Sequence, residues 1–433
     1  MSSIWIKDTT LPHFNPLNTN IKTDVLILGG GISGILCAYF LQKKGIDYIL
    51  VEGQTICSGI TKNTTAKITS QHGLIYHKLL KTIGLEKTQL YLEANQNAVK
   101  KYFELCKNID CDFEKKPSYV YSCNNRKKLE KEADALTKIG FPFHFAETPS
   151  LPFPTVGAIC FEDQAQFHPL KFISQIAQNL NIYEHTFVKE LTENLAITNQ
   201  GNISYQHLIV TTHFPIDNKH GLYFLKMYQH RSYVIALKHA AQLNGMYIDE
   251  AKQGLSFRNY KDFLLIGGGS HRSGKKGGNW QELRTFAKKY YPLAVETFHW
   301  ATQDCMTLDQ VPYIGLYSKN MSQCYVATGF QKWGMTTSML SAILLSDLLA
   351  GGENSYTSVF RPSRTILRPQ LFLNSWEAIT NLLIISKKRC PHLGCALKWN
   401  PAEHSWDCPC HGSRFTEDGI LLDNPANGNL KQK

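Results

Sequence analysis

Four residues able to bind a metal occur in two short segments near the C-terminal end of the chain. The first segment, CPHLGC, places Cys390 and His392 at C-x-H spacing, and the second, CPCHGS, places Cys408 and His411 at C-x-x-H spacing. Thiolates and neutral imidazoles at such short spacings are typical metal ligands. The sequence therefore predicts a metal centre between two loops, each supplying one sulfur and one nitrogen ligand.

Two kinds of metal centre match this ligand set. A [2Fe–2S] cluster takes two cysteines on one iron and two histidines on the other, whereas a zinc ion takes all four in a tetrahedron. Cys395 and Cys410 are additional cysteines at matching places in the two segments, and Gly394 and Gly412 permit tight loops. These flanking residues favour the iron–sulfur cluster, with a structural zinc site as the alternative.

A glycine motif near the N-terminal end indicates a nucleotide site. The apolar run at 25–28 lacks polar alternation, which predicts a parallel strand buried on both faces. Gly29, Gly31 and Gly34 follow it at G-x-G-x-x-G spacing. In this motif the first glycine permits a tight turn, the second lets the backbone approach a pyrophosphate, and the third lets helix and strand pack closely.

The residues after the glycines complete this prediction. Residues 32–44 are expected to form a helix, whose first residues Ile32 and Ser33 would direct free N–H groups at the phosphates. Glu52 and Gly53 follow the next predicted strand, about 20 residues beyond the glycines, where a carboxylate can bind ribose hydroxyls. Strand, glycines, helix, strand and acid in this order predict a Rossmann-type dinucleotide site.

Two further segments are expected to border the same cofactor. The loop CSGITKNTTAKITSQ, which contains Thr61, Thr65 and Ala66, can run beneath a diphosphate. The pattern CYVATGFQKWG predicts a strand, a glycine turn and the start of a helix near Thr336. The positive end of that helix would suit the electron-rich edge of a reduced flavin.

Residues 21–355 resemble the D-amino-acid oxidase and glycine oxidase superfamily of FAD-dependent oxidoreductases. The resemblance rests on the segments above, on Val188 before a strand ending at Thr212, and on Gly329 with Gly334 and Met335. It implies FAD as the resident cofactor and an amine or amino acid as the substrate. The implied FAD-binding residues are Gly29, Gly31, Ile32, Ser33, Gly34, Glu52, Gly53, Thr61, Thr65, Ala66, Val188, Thr212, Gly329, Gly334 and Met335.

The resemblance leaves the substrate contacts and the catalytic residues open. The segment DCMTLDQVPYIG matches the family's Asp…Pro-x-Ile-Gly pattern before its C-terminal helix. Arg231 and Arg272 are candidates, by position, for binding a substrate carboxylate, with a structural role as the alternative. No catalytic base is predicted.

The C-terminal segment resembles the Rieske proteins of respiratory and photosynthetic complexes. The resemblance implies that Cys390, His392, Cys408 and His411 bind the [2Fe–2S] cluster. It also implies a disulfide between the two non-ligand cysteines, Cys395 and Cys410. The chain as a whole resembles bacterial FAD oxidoreductases fused to a C-terminal Rieske domain.

Two departures from the respiratory pattern are evident. Pro391 stands in place of a threonine and Phe415 in place of a tyrosine, so fewer hydrogen-bond donors reach the cluster. This implies a lower reduction potential than in respiratory Rieske proteins. The segment before Cys390 has room for one or two strands only, so the base of the domain is shortened and the flavoprotein domain could complete it.

These observations predict three structural units. They are an α/β Rossmann-type FAD-binding domain, an antiparallel-sheet substrate domain and a small, shortened all-β Rieske domain. The predicted boundaries are a lead-in at 1–22, an oxidoreductase domain at 23–355, a linker at 356–375 and the Rieske domain at 376–433. Within the oxidoreductase domain, the FAD-binding parts are 23–75, 150–215 and 320–355, and the substrate parts are 76–149 and 216–319.

Composition limits the partners. The formal net charge is +11, but the basic clusters at 126–128, 275–276 and 387–389 are short, and no nucleic-acid motif accompanies them. No apolar run has the length needed to span a bilayer, and the start of the chain lacks an export signal. We expect a cytoplasmic protein without a transmembrane segment or a nucleic-acid partner. The cluster at 387–389 would suit an acidic electron carrier.

The predicted activity is FAD-dependent oxidation of a small substrate, with electrons passing through the Rieske cluster to an external acceptor. One alternative is a flavin oxidase that uses oxygen and keeps a structural cluster. Another is a redox or iron–sulfur sensor that reports the state of the cluster to a partner. No feature of the sequence separates these alternatives.

Overall fold

The fold is taken from a computed structural model, which describes residues 2–217 and 220–431. Its α-helices, numbered along the chain, are α1 Ile32–Lys43, α2 Tyr76–Leu105, α3 Arg126–Ile139, α4 Pro169–Ile176, α5 Tyr223–Lys226, α6 Asn279–Tyr290, α7 Gly334–Leu349, α8 Thr357–Phe360 and α9 Pro369–Leu383. Its strands are β1 Ile21–Leu28, β2 Tyr48–Val51, β3 Lys67–Ile68, β4 Glu114–Lys115, β5 Ser118–Tyr121, β6 His144–Ala146, β7 Ala158–Phe161, β8 Ala165–Gln166, β9 Ile182–Tyr183, β10 Val188–Leu191, β11 Leu195–Thr198, β12 Asn202–Val210, β13 Met227–Lys238, β14 Met246–Asp249, β15 Ser256–Tyr260, β16 Phe263–Arg272, β17 Val295–Thr307, β18 Tyr313–Leu316, β19 Cys324–Thr328, β20 Lys398–Asn400, β21 Ser405–Asp407, β22 Arg414–Thr416 and β23 Leu421–Asp423.

The first large sheet is built around β1. Its strand order is β10-β11-β12-β1-β2-β9, with β19 beside β12 and β18 beside β19. β1 pairs in parallel with both β2 and β12, and β2 is buried along its whole length. Helix α1 connects β1 to β2 and packs against α7. The continuous apolar runs of these strands follow from burial on both faces, and the Rossmann-type fold expected from the glycine motif is confirmed.

The second large sheet has the order β17-β13-β16-β15-β14-β5-β7-β6. Its pairs are antiparallel except for β14 with β5, which is parallel, so the sheet is mixed rather than wholly antiparallel. Strands β5 and β6 come from the predicted substrate part at 76–149, and β7 comes from the part at 150–215, which was assigned to FAD binding. Runs of three or four residues are too short for periodicity to separate strand from loop.

The predicted linker is more structured than expected. Residues 357–360 form α8, and α9 runs through the predicted boundary between 375 and 376. Pro369 is the first residue of α9, where its missing N–H costs nothing and its fixed φ favours a helix. The one or two strands expected before Cys390 are therefore absent from this described stretch, and a helix takes their place.

The C-terminal unit is a four-stranded antiparallel sheet, in the order β20-β21-β22-β23, with a small apolar core. Such a small core leaves much of its surface to be covered by other elements. It packs against the face of the second sheet formed by β13, β16 and β17. Within the described ranges, none of the helices combines the length and the apolar character needed to cross a membrane.

Candidate cofactor and metal sites

A cavity of about 860 Å³ is bordered by the first and second sheets and by residues 421–427 of the C-terminal unit. Thirteen of the predicted cofactor residues line it, namely Gly29, Gly31, Ile32, Ser33, Glu52, Gly53, Thr61, Thr65, Val188, Thr212, Gly329, Gly334 and Met335. Gly34 and Ala66 are not among the lining residues. Segments more than 300 residues apart in the chain, such as those of Gly29 and Met335, thus meet at one cavity.

The three glycines of the motif differ in what surrounds them. A Cβ on Gly34 would lie 2.0 Å from the carbonyl oxygen of Gly29, and one on Gly29 would lie 2.9 Å from the carbonyl oxygen of Thr211. Gly29 also has φ +106°, which side chains rarely adopt. A Cβ on Gly31 meets only the hydroxyl of Thr61, at 3.4 Å. The fold therefore requires Gly29 and Gly34, whereas Gly31 faces open cavity.

Glu52 has a role within the protein as well as a place in the cavity wall. Its carboxylate accepts hydrogen bonds from the backbone N–H groups of Gly30, at 2.8 Å, and Gln54, at 2.9 Å. Burial raises its pKa, and these two hydrogen bonds oppose the rise. Glu52 thus holds the glycine loop in position while it also lines the cavity.

Several polar groups of the cavity wall have no protein partner. The hydroxyls of Ser33 and Ser338 are buried and line the cavity, yet neither has a hydrogen-bond partner among the described residues. Helices α1 and α7 also begin at the cavity, where their first backbone N–H groups have no intrahelical acceptor. The N–H of Ile32, predicted to be free, donates instead to the hydroxyl of Thr61 at 3.0 Å. A polar, anionic dinucleotide would satisfy such donors, so these residues fit a bound FAD.

Ala66 acts from behind the cavity wall. Its carbonyl and that of Thr65 accept hydrogen bonds from the buried guanidinium of Arg258, at 2.7 and 2.8 Å. Ala66 also has φ +53°, so it turns the threonine-rich loop along the cavity. Ala66 thus supports the cavity wall from behind, and its contact with a cofactor stays a prediction.

The polar end of the cavity contains a lysine, whose side chain is exposed in the open cavity, and a carboxyl group. Lys332 donates a hydrogen bond from Nζ to the hydroxyl of Ser270 at 3.1 Å. Desolvation within the cavity lowers the pKa of Lys332, and the attraction of Asp304 opposes this change. Burial raises the pKa of Asp304, opposed by Lys332. The sequence analysis did not single out Lys332, and its unusual φ of +72° is visible only in the structure.

Strand β13 forms a wall with two polar faces. Tyr228, His230 and Ser232 line the cavity, whereas the alternating residues Gln229 and Arg231 are buried beneath the C-terminal unit. Alternation of side chains along a strand explains this division. The alternating sequence YQHRS was available as a signal, because a strand with polar residues on both faces cannot be packed on an apolar core on either side.

Arg231 and Arg272 were candidates for binding a substrate carboxylate, but in the structure both have partners in the C-terminal unit. Arg231 is buried and forms a bidentate ion pair with Glu403 of the C-terminal unit. Arg272 borders the cavity but donates hydrogen bonds to the carbonyls of Pro409 and Cys410, both at 3.1 Å. Arg231 is thus committed to the C-terminal unit through Glu403, and Arg272 to the second metal-binding loop.

The two metal-binding loops have the same backbone hydrogen bonds. In the first, Gly394 N–H donates to the carbonyl of Cys390 at 2.9 Å, and in the second, Gly412 N–H donates to that of Cys408 at 2.9 Å. Both glycines have positive φ, 78° and 89°, as expected for tight loops. Cys395 and Cys410 form a disulfide that joins the loops.

The four predicted ligands face one another in two pairs. The hydrogen bond from Cys408 lowers the pKa of Cys390 to about 7, against burial and with help from Ser413. The imidazole rings of His392 and His411 lie 5.0 Å apart, centroid to centroid. Nδ1 of His411 is buried and has no hydrogen-bond partner among the described residues, so its lone pair is available to a metal. This donor set fits a cluster with two sulfur and two nitrogen ligands.

A second set of three cysteine sulfur atoms lies close together but does not form a metal site. Cys408 lies near Cys395 and Cys410, with all three sulfur atoms within 4.8 Å of one another. Two of these atoms are already joined as a disulfide. They therefore have no thiolate to offer, and Cys408 is left to act with Cys390.

Two glutamines connect the second loop to the sheet. Gln229 donates from Nε2 to the carbonyls of His411, at 2.9 Å, and Asn424, at 3.0 Å. Gln303 donates to the carbonyl of Gly412 at 2.8 Å. A Cβ on Gly412 would lie 2.6 Å from Gln229, so loop and sheet are in direct contact.

His411 faces the same sheet region. Its ring packs edge-on against Phe214 and Phe224, with centroid distances of 6.5 and 6.1 Å. Burial lowers the pKa of His411 to about 3, together with repulsion from His392 and Arg272. The second loop is therefore sealed against the flavoprotein part, while His392 of the first loop is only half-buried.

Comparisons with known proteins agree with both sites. Residues 24–348 match the family model described as FAD dependent oxidoreductase, and residues 363–433 match the Rieske [2Fe-2S] domain. The protein YhfW of Bacillus subtilis (strain 168), named as a Rieske 2Fe-2S iron-sulfur protein, is 34% identical over 491 aligned positions, covering 99% of this chain and 96% of that protein. The match at 363–433 favours the iron–sulfur cluster over zinc.

Solved structures show the same fold for the larger part of the chain. Glycine oxidase from Geobacillus kaustophilus superposes with a TM-score of 0.68 at 19% identity, covering 80% of this chain and 99% of that one. L-proline dehydrogenase from P. horikoshii superposes with a TM-score of 0.67 at 16% identity, covering 81% and 98%. The chain therefore belongs to the D-amino-acid oxidase family of FAD-dependent oxidoreductases and carries a C-terminal Rieske domain, so that FAD and a [2Fe–2S] cluster are its cofactors.

Proposed function

We propose that this protein oxidises a small amine or amino acid at the cavity and passes the electrons through its Rieske domain to an external acceptor. When bound, FAD takes up an electron pair from the substrate and the [2Fe–2S] cluster carries single electrons. The observation that carries the proposal is the position of β13, which borders the cavity with one face and the second cluster loop with the other.

The cofactor sites follow from the same geometry. The thirteen predicted residues that line the cavity are proposed to bind FAD, with the phosphates at the N-terminus of α1 beside Gly31 and the ring system near Gly329, Gly334 and Met335. Gly34 and Ala66 are proposed to shape the site from behind. Cys390, His392, Cys408 and His411 are proposed as the cluster ligands, and the Cys395–Cys410 disulfide holds their loops together.

Lys332 and Asp304 are proposed to orient an amino-acid substrate. The ammonium group of Lys332 lines the cavity, where the dielectric constant is lower than in bulk water and a carboxylate is therefore attracted more strongly. Asp304 can accept a hydrogen bond from the substrate amine. The names of the structural neighbours, glycine oxidase and L-proline dehydrogenase, describe enzymes of amino acids and support this substrate class.

An anaerobic reduction experiment tests the proposal. Glycine, L-proline and a panel of D- and L-amino acids are mixed with the oxidised holoprotein, and flavin absorbance and the EPR signal of the reduced cluster are followed together. We expect one of these compounds to bleach the flavin and the cluster signal to rise with it. Bleaching without cluster reduction would contradict internal electron transfer and would favour the oxygen-using oxidase.

Lys332→Met provides the test of substrate orientation. Loss of a charge-assisted hydrogen bond is worth about 1.5–3 kcal/mol, so the Kd of a carboxylate substrate should rise about 10- to 150-fold. The corresponding amine without a carboxylate should bind equally well to the wild type and to the variant.

In the reduction experiment, the sensor alternative is favoured if no compound reduces the flavin of the wild-type holoprotein.

We also propose that the protein works inside the cell, at a cytoplasmic location, and that its acceptor is an external electron carrier. Fractionation of cells that contain the tagged full-length chain would test the location. The acceptor is approached from the Rieske side, where the half-buried His392 is nearest to solvent.

A further inference from the structure

Helix α9 has its polar and apolar faces reversed with respect to a helix that packs on a core. The side chains of Phe372, Trp376, Ile379 and Leu383 follow the spacing of one helix face, and they are 70%, 68%, 52% and 77% exposed. Leu373, on the same side, is 61% exposed. A helix normally turns such a face toward the protein interior. Here the face is turned to solvent.

The opposite face of α9 is polar and faces the protein. Asn374 and Asn381 are buried, and Asn374 accepts a hydrogen bond from Arg272 at 2.9 Å. The carbonyl of Asn381 accepts from Ala396 N–H at 3.0 Å. Glu377 pairs with Lys275 at 2.7 Å. These contacts determine the rotation of the helix, so its apolar face cannot turn inward without breaking them.

The apolar surface continues beyond both ends of the helix. Leu367 before it is 75% exposed, and Ile385 after it is 99% exposed. Large apolar side chains that are contiguous on a surface mark an interaction site. We call residues 367–385 the α9 surface.

Basic residues flank the α9 surface in the chain. Residues 361–389 contain six basic side chains, of which Arg364 is paired with Asp309 and Arg361, Lys387 and Arg389 are exposed. The single acidic one is Glu377, whose carboxylate is directed inward at Lys275. Lys387 and Arg389 follow the apolar run directly and are exposed. An apolar helix face with aromatic residues and a basic border is typical of helices that lie in the interface of an anionic membrane.

We propose that the α9 surface docks the protein on an anionic lipid bilayer, with α9 lying parallel to the membrane plane. The aromatic and aliphatic side chains enter the headgroup boundary, and the basic residues contact lipid phosphates. A protein partner would not require this combination of a wide apolar face and a purely basic border. The charge complementarity therefore selects the lipid surface as the occupant.

Docking in this orientation brings the first cluster loop to the membrane. Arg389 donates hydrogen bonds to the carbonyls of Leu382, Ile384 and Gly394, which tie the end of α9 to that loop. The loop also carries the half-buried His392. Docking would place the Rieske domain within reach of an acceptor dissolved in the membrane, and this consequence rests on the proposed function. The docking itself does not rest on the proposed function.

Vesicle flotation with the full-length holoprotein tests the docking. Two vesicle preparations are used, phosphatidylcholine alone and phosphatidylcholine with phosphatidylglycerol. We expect the protein to float with the anionic vesicles and to remain largely unbound with the zwitterionic ones. Addition of salt should weaken the binding, because the charge attraction is screened.

Variants locate the contact. Phe372→Gln/Trp376→Gln should lower the partition coefficient at least about tenfold, since each side chain loses its apolar burial. Lys387→Gln should lower it about fivefold. Leu293→Gln is the matched control, because Leu293 is 85% exposed on another part of the surface, and it should leave the partition unchanged. Flavin and iron contents equal to wild type show that each variant is folded.

Absence of binding to both vesicle preparations would overturn the proposal, as would equal losses in the α9 double variant and in Leu293→Gln. A concentration-dependent dimer that the double variant abolishes, without vesicle binding, would show a second copy of the chain as the occupant. Docking can fail while amino acids still reduce flavin and cluster, so the two proposals are distinguished.

Discussion

At the scale of single residues, the glycine motif combines two kinds of constraint. Gly34 lies against the backbone of Gly29, with 2.0 Å between its potential Cβ and the carbonyl oxygen, so its small size serves packing. Gly31 has open cavity in front of it, and its small size serves a ligand. The sequence pattern alone treats the two positions alike, but they should respond differently to substitution.

Gly31→Val and Gly34→Ala test this difference. We expect Gly31→Val to fold with normal iron content but to retain little FAD, because the side chain occupies the space of the pyrophosphate. Gly34→Ala should lower the free energy of unfolding by about 3 kcal/mol, since overpacking against backbone cannot relax easily. Flavin and iron analysis with urea unfolding measures both. Full flavin occupancy in Gly31→Val would contradict the phosphate site.

At the scale of elements, the two cluster loops are joined by a hairpin and by a covalent link. Their backbone turns are local, each closed by its own glycine, and the β20–β21 hairpin, which pairs Lys398 with Asp407, brings the base of one loop beside the base of the other. The Cys395–Cys410 disulfide joins the loops themselves across 15 residues. A loop of this length loses about 3 kcal/mol of closure entropy when it is cross-linked in the unfolded chain.

Cys395→Ser should therefore leave the four proposed ligands in place and still weaken cluster retention. We expect faster loss of iron during incubation with a chelator, together with a fall of up to about 3 kcal/mol in the stability of the Rieske domain. Cys123→Ser is the control, because Cys123 is an exposed free cysteine. Equal iron loss from both variants would show that the disulfide is dispensable.

Strand β13 is the second element with an effect on function. Gln229→Leu removes the donor that satisfies the buried carbonyls of His411 and Asn424. Two unsatisfied acceptors should lower the free energy that holds the Rieske domain on the sheet by about 2–6 kcal/mol. We expect faster hydrogen exchange in residues 408–424 and slower reduction of the cluster after flavin reduction. Gln242→Leu, at an exposed position, should change neither measurement.

At the scale of the whole molecule, a charge network joins the two domains. Glu403 of the Rieske domain accepts hydrogen bonds from Arg231 of the second sheet, from Arg414 of its own sheet at 2.8 Å, and from Tyr233 at 3.0 Å. Burial raises the pKa of Glu403, but Arg231 and Arg414 outweigh burial and lower it to about 2. Glu403 is thus charged at neutral pH and holds the domains together.

Glu403→Gln should lower the free energy of unfolding by about 3 kcal/mol at pH 7, because two buried guanidinium groups lose one charged partner, while Arg414 keeps Asp407 and Asp423. A depressed folded pKa means that the stabilisation is complete above the ordinary value of 4.5 and is lost as the pH falls toward 2. The difference between wild type and variant should therefore shrink below about pH 4.5. Urea unfolding across this range measures it, with Glu417→Gln, at an exposed position, as control.

The local chemistry of this protein was determined by its sequence. The glycine motif, the paired C-x-H and C-x-x-H segments and the helix starts at Ile32 and Gly334 all depend on residues within a few positions of one another. Their geometry follows from backbone torsions and short hydrogen bonds, which a sequence pattern specifies directly. For this reason the Rossmann-type fold, the FAD cavity and the two cluster loops could be predicted.

Tertiary structure decided what depends on residues far apart in the chain. Arg231 pairs with a carboxylate 172 positions away, and Lys332 meets Ser270 across the cavity. The same strand residues could have faced either the cavity or the Rieske domain, because alternation specifies two faces but not their neighbours. Helix α9 was missed because residues 356–375 were predicted to be a linker, and the helix spans the predicted boundary with the Rieske domain. Only the docking of polar residues on one side of α9 turns its apolar face to solvent.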